Sequence, residues 1–312
     1  MTSNNKGSTN RGVLLVLVVL VIVVGCLGIP GVRNAGLKSL QTLRMQKVQA
    51  VNADFSPYVD ANANPALHQM VTQMISDKVR VETNEEDQPA ADVAGARQLA
   101  GFNVMLLSAR KDAPKLVVGG SHKIDVAVDR ARLQAIATES GHADLVLPQS
   151  LDGATVAVEV PRSVQVQYGT CPGPANASKV VADNITGPSP TTTEFSDCVR
   201  LREGPTPIVN MPSALDVAGL AQIGLETAGM TPAQANDFLH TVDWKAVLTL
   251  SVPRSLRSYQ TVKVDGTDAT LLSMAGRRGP GYALIWAKNG IVYSLTGFGD
   301  SSQAVGLADS LK

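Results

Sequence analysis

Residues 13–29 read VLLVLVVLVIVVGCLGI, seventeen residues without a charge, between Arg11 and Pro30. As an α-helix this run is about 25 Å long, enough to cross the hydrocarbon core of a bilayer. It is apolar on every side, whereas a helix at the surface of a globular core keeps a polar stripe. Lipid also compels the Val- and Ile-rich backbone to bond internally. No small-x-small cleavage site follows the run, so an uncleaved span is favoured over a secretory signal. The expected organisation is therefore a tail (1–12), a transmembrane anchor (13–29), a basic amphipathic stalk and linker (30–91) and an exported α+β domain (92–312). A division of that domain into about 92–210 and 211–312 is left open.

The charge distribution supports the same partition. The chain has 27 basic and 27 acidic side chains, but residues 1–53 contain six bases and no acid, Asp54 being the first carboxylate. The remainder carries 21 bases against 27 acids, a net of −6. A basic stalk suits anionic headgroups, and a mildly acidic domain excludes nucleic acid as its partner. Positive charges flanking the anchor slightly favour a cytoplasmic domain, whereas a long C-terminal domain behind one apolar segment favours export. Val23-Val24-Gly25-Cys26 resembles the lipobox of bacterial lipoproteins, in which Cys26 would be lipidated; an uncleaved helix and a lipoprotein signal both remain open.

Cysteine usage leans towards export. Outside the anchor only Cys171 and Cys198 occur, at the edges of a stretch rich in Pro, Gly, Ser and Thr. Two cysteines closing such a loop read as a disulfide of an oxidising compartment. The sequons at Asn176 and Asn184 are close to chance frequency and carry no weight.

Local patterns place the elements. Leu37, Leu40, Leu43, Met45 and Val48 among basic residues predict an amphipathic helix continuing from Pro30. Residues 66–77 predict a short helix, and 81–92 an acidic linker. Ala94–Ala100 and Asp129–Glu139 read as helices, and His122–Val128 alternates as a strand with Ile124, Val126 and Val128 on one face. Thr155–Val160 and Val164–Tyr168, separated by Pro161-Arg162-Ser163, predict an antiparallel hairpin. Ser213 and Asp216 open a helix that stops at Gly229, and Thr231-Pro232-Ala233-Gln234 opens another with a capping box. Asp265-Gly266 and Asn289-Gly290 are type I′ hairpin turns, the second pairing Trp286 with Tyr293 and Leu284 with Leu295. A last helix over 302–312 turns Ala304, Leu307, Ala308 and Leu311 to that sheet. The predicted fold is α+β, a curved antiparallel sheet with helices packed on one face, behind one N-terminal transmembrane helix.

Chemistry is sparsely marked. His68, His122, His142 and His240 form no metal-ligand spacing, and neither a nucleophile elbow nor a phosphate loop is present. No cofactor, metal site or catalytic constellation is expected. Gly297-Phe298-Gly299-Asp300 reads as a turn whose Asp caps the last helix. Arg277-Arg278, in the connection AGRRGPG, are the best candidates for contact with an acidic lipid or a protein partner. A binding or sensing module follows, with an envelope protein or an apolar ligand as its partner besides the bilayer.

The C-terminal stretch resembles an uncharacterised bacterial family of membrane-anchored ectodomains. The shared pattern is W-x-x-x-G-x-x-Y-x-L-x-G before a terminal helix ending A-x-S-L, here Trp286, Gly290, Tyr293, Leu295, Gly297, Ala308, Ser310 and Leu311. Some members are anti-sigma-factor-like. The region is also similar to the lipoprotein-sorting and sigma-regulator half-barrels, in which a curved antiparallel sheet wraps helices. That resemblance implies a bacterial envelope location and, as alternatives, a lipid-binding half-barrel or an envelope-stress regulatory ectodomain. The N-terminal tail leaves no room for a zinc-containing, sigma-binding domain.

Overall fold

The structure, a computed structural model, describes residues 40–44, 47–51, 58, 62–171, 195–213, 215, 217–241, 247–251, 258–276 and 279–312. The first half contains β1 (Leu40–Arg44), β2 (Lys47–Val51), α1 (Pro65–Lys78), β3 (Val79–Thr83), β4 (Gln88–Ala90), α2 (Val93–Ala100), β5 (Lys115–Gly119), β6 (His122–Ala127) and α3 (Arg130–Glu139). Next come β7 (Thr155–Val160), β8 (Ser163–Tyr168), β9 (Val199–Pro205) and β10 (Ile208–Pro212), then α4 (Val217–Thr227) and α5 (Pro232–Thr241). The chain ends with β11 (Val247–Ser251), β12 (Ser258–Val264), β13 (Thr267–Gly276), β14 (Gly279–Lys288), β15 (Ile291–Phe298) and α6 (Ser302–Ala308).

These strands make two antiparallel sheets, neither of them closed, in place of the single curved sheet that was expected. One has the order β1-β10-β7-β6-β3, the other β12-β13-β14-β15-β9-β8-β5-β4. β2 and β11 form a separate parallel pair, and β2 lies against β13 and β14. Within the sheets, β3-β6-β7-β10 and β4-β5-β8-β9 follow one another in the same order. The chain therefore passes between the sheets four times at neighbouring corners: after β3, after β5, after β7 and after β9.

This arrangement corrects the predicted 155–168 hairpin. Both strands form at the expected residues, but β7 pairs with β6 and β10, while β8 pairs with β5 and β9. Pro161 and Arg162 lack the positive φ that a two-residue hairpin turn needs, whereas Asp265 (φ 46°), Gly266 (75°), Asn289 (53°) and Gly290 (76°) all have it. The corner is held by Arg162, whose guanidinium forms a two-pronged ion pair with Glu85 and donates to the carbonyl of Leu99. Close approach is strict here: a β-carbon on Gly120 would stand 1.8 Å from the carbonyl oxygen of Glu85.

Two further expectations are overturned. Within the segment expected to be a basic helix, residues 40–44 and 47–51 are strands instead: β1 pairs along its length with β10, and β2 with β11. Its leucines fit either periodicity, and the ladder partners decide. The 81–92 stretch contributes β3 and β4 to the two sheets, so the fold takes in residues well before Asp92. The eight-stranded sheet draws strands from both 92–210 and 211–312.

The five-stranded sheet is one-sided. Ile124, Val156, Val158, Val209 and Met211 are buried with Ala221 and Leu225 of α4 and Ala235 of α5. Its other face is polar, with Lys123 paired to Asp125 at 3.1 Å and Asn210 donating to Glu159 at 3.3 Å. α4 ends in a Schellman motif, Met230 N–H bonding the Leu225 carbonyl and Gly229 N–H that of Glu226. Thr231 and Gln234 then exchange the two expected capping-box bonds, at 2.9 and 3.2 Å. Asp300 accepts from Ser302 N–H at 2.9 Å just ahead of α6, whose N-cap position is taken by Ser301 and not by the expected Asp300. Among the described residues no helix is long and apolar enough to cross a membrane; residues 13–29 lie outside them.

Candidate functional site

The core face of the eight-stranded sheet can be read as rows across the strands. In one, Leu271, Leu284, Leu295, Leu201, Val166 and Leu116 stand side by side from β13 to β5. All are buried, and each such side chain contributes about 1.5–3 kcal/mol relative to exposure. The neighbouring row runs Ala269, Trp286, Tyr293, Glu203, Val164 and Val118. Glu203 is the one carboxylate in it. The sequence explains its direction: in Val-Arg-Leu-Arg-Glu of β9, Glu203 is in phase with the buried Val199 and Leu201, and Arg200 and Arg202 point the other way.

Glu203 is 0% exposed. Above it passes an irregular strap, residues 101–107, whose Val104 and Leu107 are buried in the same core. The backbone N–H of Met105 donates to both carboxyl oxygens, at 3.0 and 3.2 Å. Beside Glu203 in register is Tyr293, whose ring stacks on Trp286 with centroids 5.1 Å apart and planes 12° from parallel. Burial drives the carboxyl group up to about 8, opposed only in part by the Met105 N–H. Burial likewise holds the phenols of Tyr168 and Tyr293 above their usual range.

A second polar cluster sits at the end of β8 and β9. Arg110 grips Asp112 with two bonds of 2.7 and 2.8 Å, donates to the Asp197 carbonyl at 3.1 Å, and lies 5.6 Å from the centre of the Tyr168 ring. Asp112 also accepts from Gly169 N–H at 2.8 Å, and its carboxyl is held down at about 2, chiefly by Arg110. Asp197 accepts from Thr170 N–H. Within this clamp Cys171 and Cys198 are joined, with Cα atoms 4.9 Å apart. The expected pairing is thus present at the base of the 172–197 connection.

The motif residues of the C-terminal stretch have structural roles. Gly290 occupies the hairpin turn, Trp286 and Tyr293 stack, and Leu295 stands in the leucine row. Gly297 makes room for the Tyr282 ring. Ala308 is buried, Leu311 bridges to Leu107, and Ser310 bonds Ser108 and Ala109. Arg277 and Arg278, in the link between β13 and β14, lie outside the described residues, as does Cys26. The four histidines are not brought together, and among the described residues no group of His, Cys, Asp and Glu could hold a metal ion. Sequence reasoning passed over Glu203 and the Arg110–Asp112 clamp. An acid in phase with buried apolar positions was the available signal for Glu203; the clamp, built from separated loops, left none.

The chain matches no protein-family model, no curated protein and no solved structure.

Proposed function

We propose that this chain is a single-pass bacterial envelope protein, anchored by residues 13–29, whose C-terminal domain is an extracytoplasmic binding or sensing module without catalytic activity. The Cys171–Cys198 bridge carries the reading, because a disulfide at the foot of two core strands belongs to an oxidising compartment. The apolar 13–29 run supplies the address, and only ten residues separate it from β1, so the folded unit sits close to the membrane. The filled rows of the eight-stranded sheet weigh towards recognition of an envelope protein at the surface, ahead of a lipid carried inside a half-barrel.

Protease accessibility of the domain in spheroplasts, combined with maleimide labelling before and after reduction, tests this. Digestion from outside and thiols that appear only after reduction are expected; a protected domain with two freely labelled thiols places it in the cytoplasm. The intact mass of the purified protein separates the two forms of the anchor, since lipidation at Cys26 removes the first 25 residues and adds acyl chains.

A further inference from the structure

Glu203 is a charged-type side chain placed where no charge is stabilised. It has no solvent exposure, its register neighbours are Tyr293 and Val164, and one backbone N–H serves both of its oxygens. No ion pair to it occurs among the described residues. The groups that titrate around it are the phenols of Tyr293 on β15 and Tyr168 on β8, while the strap brings only the uncharged Asn103 and Met105. Arg200 and Arg202 of β9 itself face the opposite side of the sheet. An ionised carboxylate enclosed in this way lacks the cation or the several donors that it needs.

The strap has most of its polar ties at its ends. One end continues from α2 at Gly101. The other is fixed to the C-terminus, with Leu106 and Lys312 exchanging backbone bonds at 2.9 and 3.0 Å, Ser108 N–H bonding the Ser310 carbonyl, and Leu107 N–H bonding the Tyr168 hydroxyl at 2.9 Å. Between these ends Met105 N–H to Glu203 is the polar link from strap to sheet among the described residues. The segment has no ladder of its own, and such segments open at lower free energy than the strands beneath them.

We infer that Glu203 is a proton-binding site that latches the 101–107 strap: as the neutral acid it keeps the strap closed over its own row of the sheet, and on losing its proton to solvent in alkaline medium it opens the strap and wets that row. The raised affinity of the buried group for its proton places this transition near neutral to mildly alkaline pH. The latch stands independently of the membrane address. It supplies the sensing domain with an input, the proton, and an output, the wetting of the row on which Glu203 and Tyr293 stand.

Hydrogen exchange read by mass spectrometry on the full-length protein in detergent micelles tests the latch, at pH 6 and pH 9 with times scaled for the intrinsic rate. Peptides covering 101–108 are expected to lose about tenfold or more of their protection at pH 9, with those of β13 and β14 unchanged. Glu203→Gln is expected to keep the strap protected at both pH values. Equal protection of the wild-type strap at both pH values overturns the inference, and so does the same loss in Glu203→Gln. Should that variant not fold, 13C carboxyl spectra of glutamate-labelled wild type decide. One carboxyl titrating above pH 7 is expected, and a full set titrating below pH 6 overturns the latch.

Discussion

The phenol ring of Tyr282 lies across the backbone of Gly297, so near that a β-carbon at 297 would stand 2.4 Å from its oxygen and 2.5 Å from its ζ-carbon. Tyr282 is 1% exposed and has nowhere to withdraw without disturbing the row that it shares with Val199 and Tyr168. Gly297→Ala should therefore destabilise the domain by about 1–3 kcal/mol, the usual cost of overpacking. Gly306→Ala, on α6 with open space around it, is the control and should be neutral or slightly stabilising. Urea midpoints of the two variants check the contrast.

Stability should depend on pH through Glu203. Its folded-state value of about 8 lies above its ordinary 4.5, so between these limits the unfolded chain binds fewer protons than the folded one. Stability then falls as pH rises through that window, at up to about 1.4 kcal/mol per pH unit. Below about pH 4.5 this contribution is constant. Glu203→Gln should flatten this decline between about pH 4.5 and 8, as measured by urea unfolding at several pH values. Asp112 acts in the opposite sense: its folded value is depressed to about 2 from 3.8, so its support is present above pH 3.8 and lost on acidification towards pH 2.

Reducing the Cys171–Cys198 bridge, or replacing both residues with Ser, should cost roughly 3 kcal/mol in the loop-entropy model. The Arg110–Asp112 clamp and the β8–β9 pairing remain, so a lower thermal midpoint with retained far-UV circular dichroism is expected. Complete loss of secondary structure would contradict this division of labour.

At the corner, Gly120→Ala sets a methyl group against the backbone of Glu85 and should be the more damaging change, about 3 kcal/mol. Arg162→Ala removes an ion pair open to solvent, and such pairs contribute little to stability. The order of the two thermal midpoints is the check.

Thr231→Ala leaves the N–H of Gln234 without its capping hydroxyl and should cost about 1 kcal/mol. Thr231→Ser should restore most of it, measured by chemical denaturation.

The features that proved readable in the sequence are those with local causes. The Asp265-Gly266 and Asn289-Gly290 turns, the Trp286–Tyr293 and Leu284–Leu295 pairs, the Thr231 capping box and the apolar face of α6 all follow from residues within a few positions of one another. What was hidden depends on distant partners. Leu40, Leu43 and Val48 fit a helix as well as a strand until β10 and β11 are beside them. Pro161-Arg162 separates two strands of correct length, but only Glu85 and the Leu99 carbonyl explain why the chain bends there instead of reversing. Glu203 was legible in phase and illegible in consequence, because its burial is completed by the strap about a hundred residues earlier.

The four passages between the sheets also determine where this protein can change in length. Three of them leave just two residues between strands, and the parity of each strand is handed to the next. A single-residue insertion at 120–121, 161–162 or 206–207 would thus turn one strand of a pair inside out relative to its continuation. Every long connection, such as those carrying α2 and α3 or the stretch closed by the disulfide, leaves from the strand ends away from these corners. Over evolutionary time, insertions should collect at those outer ends while the corner line keeps its length, so a comparison of gap positions among homologues would draw the border between the two sheets.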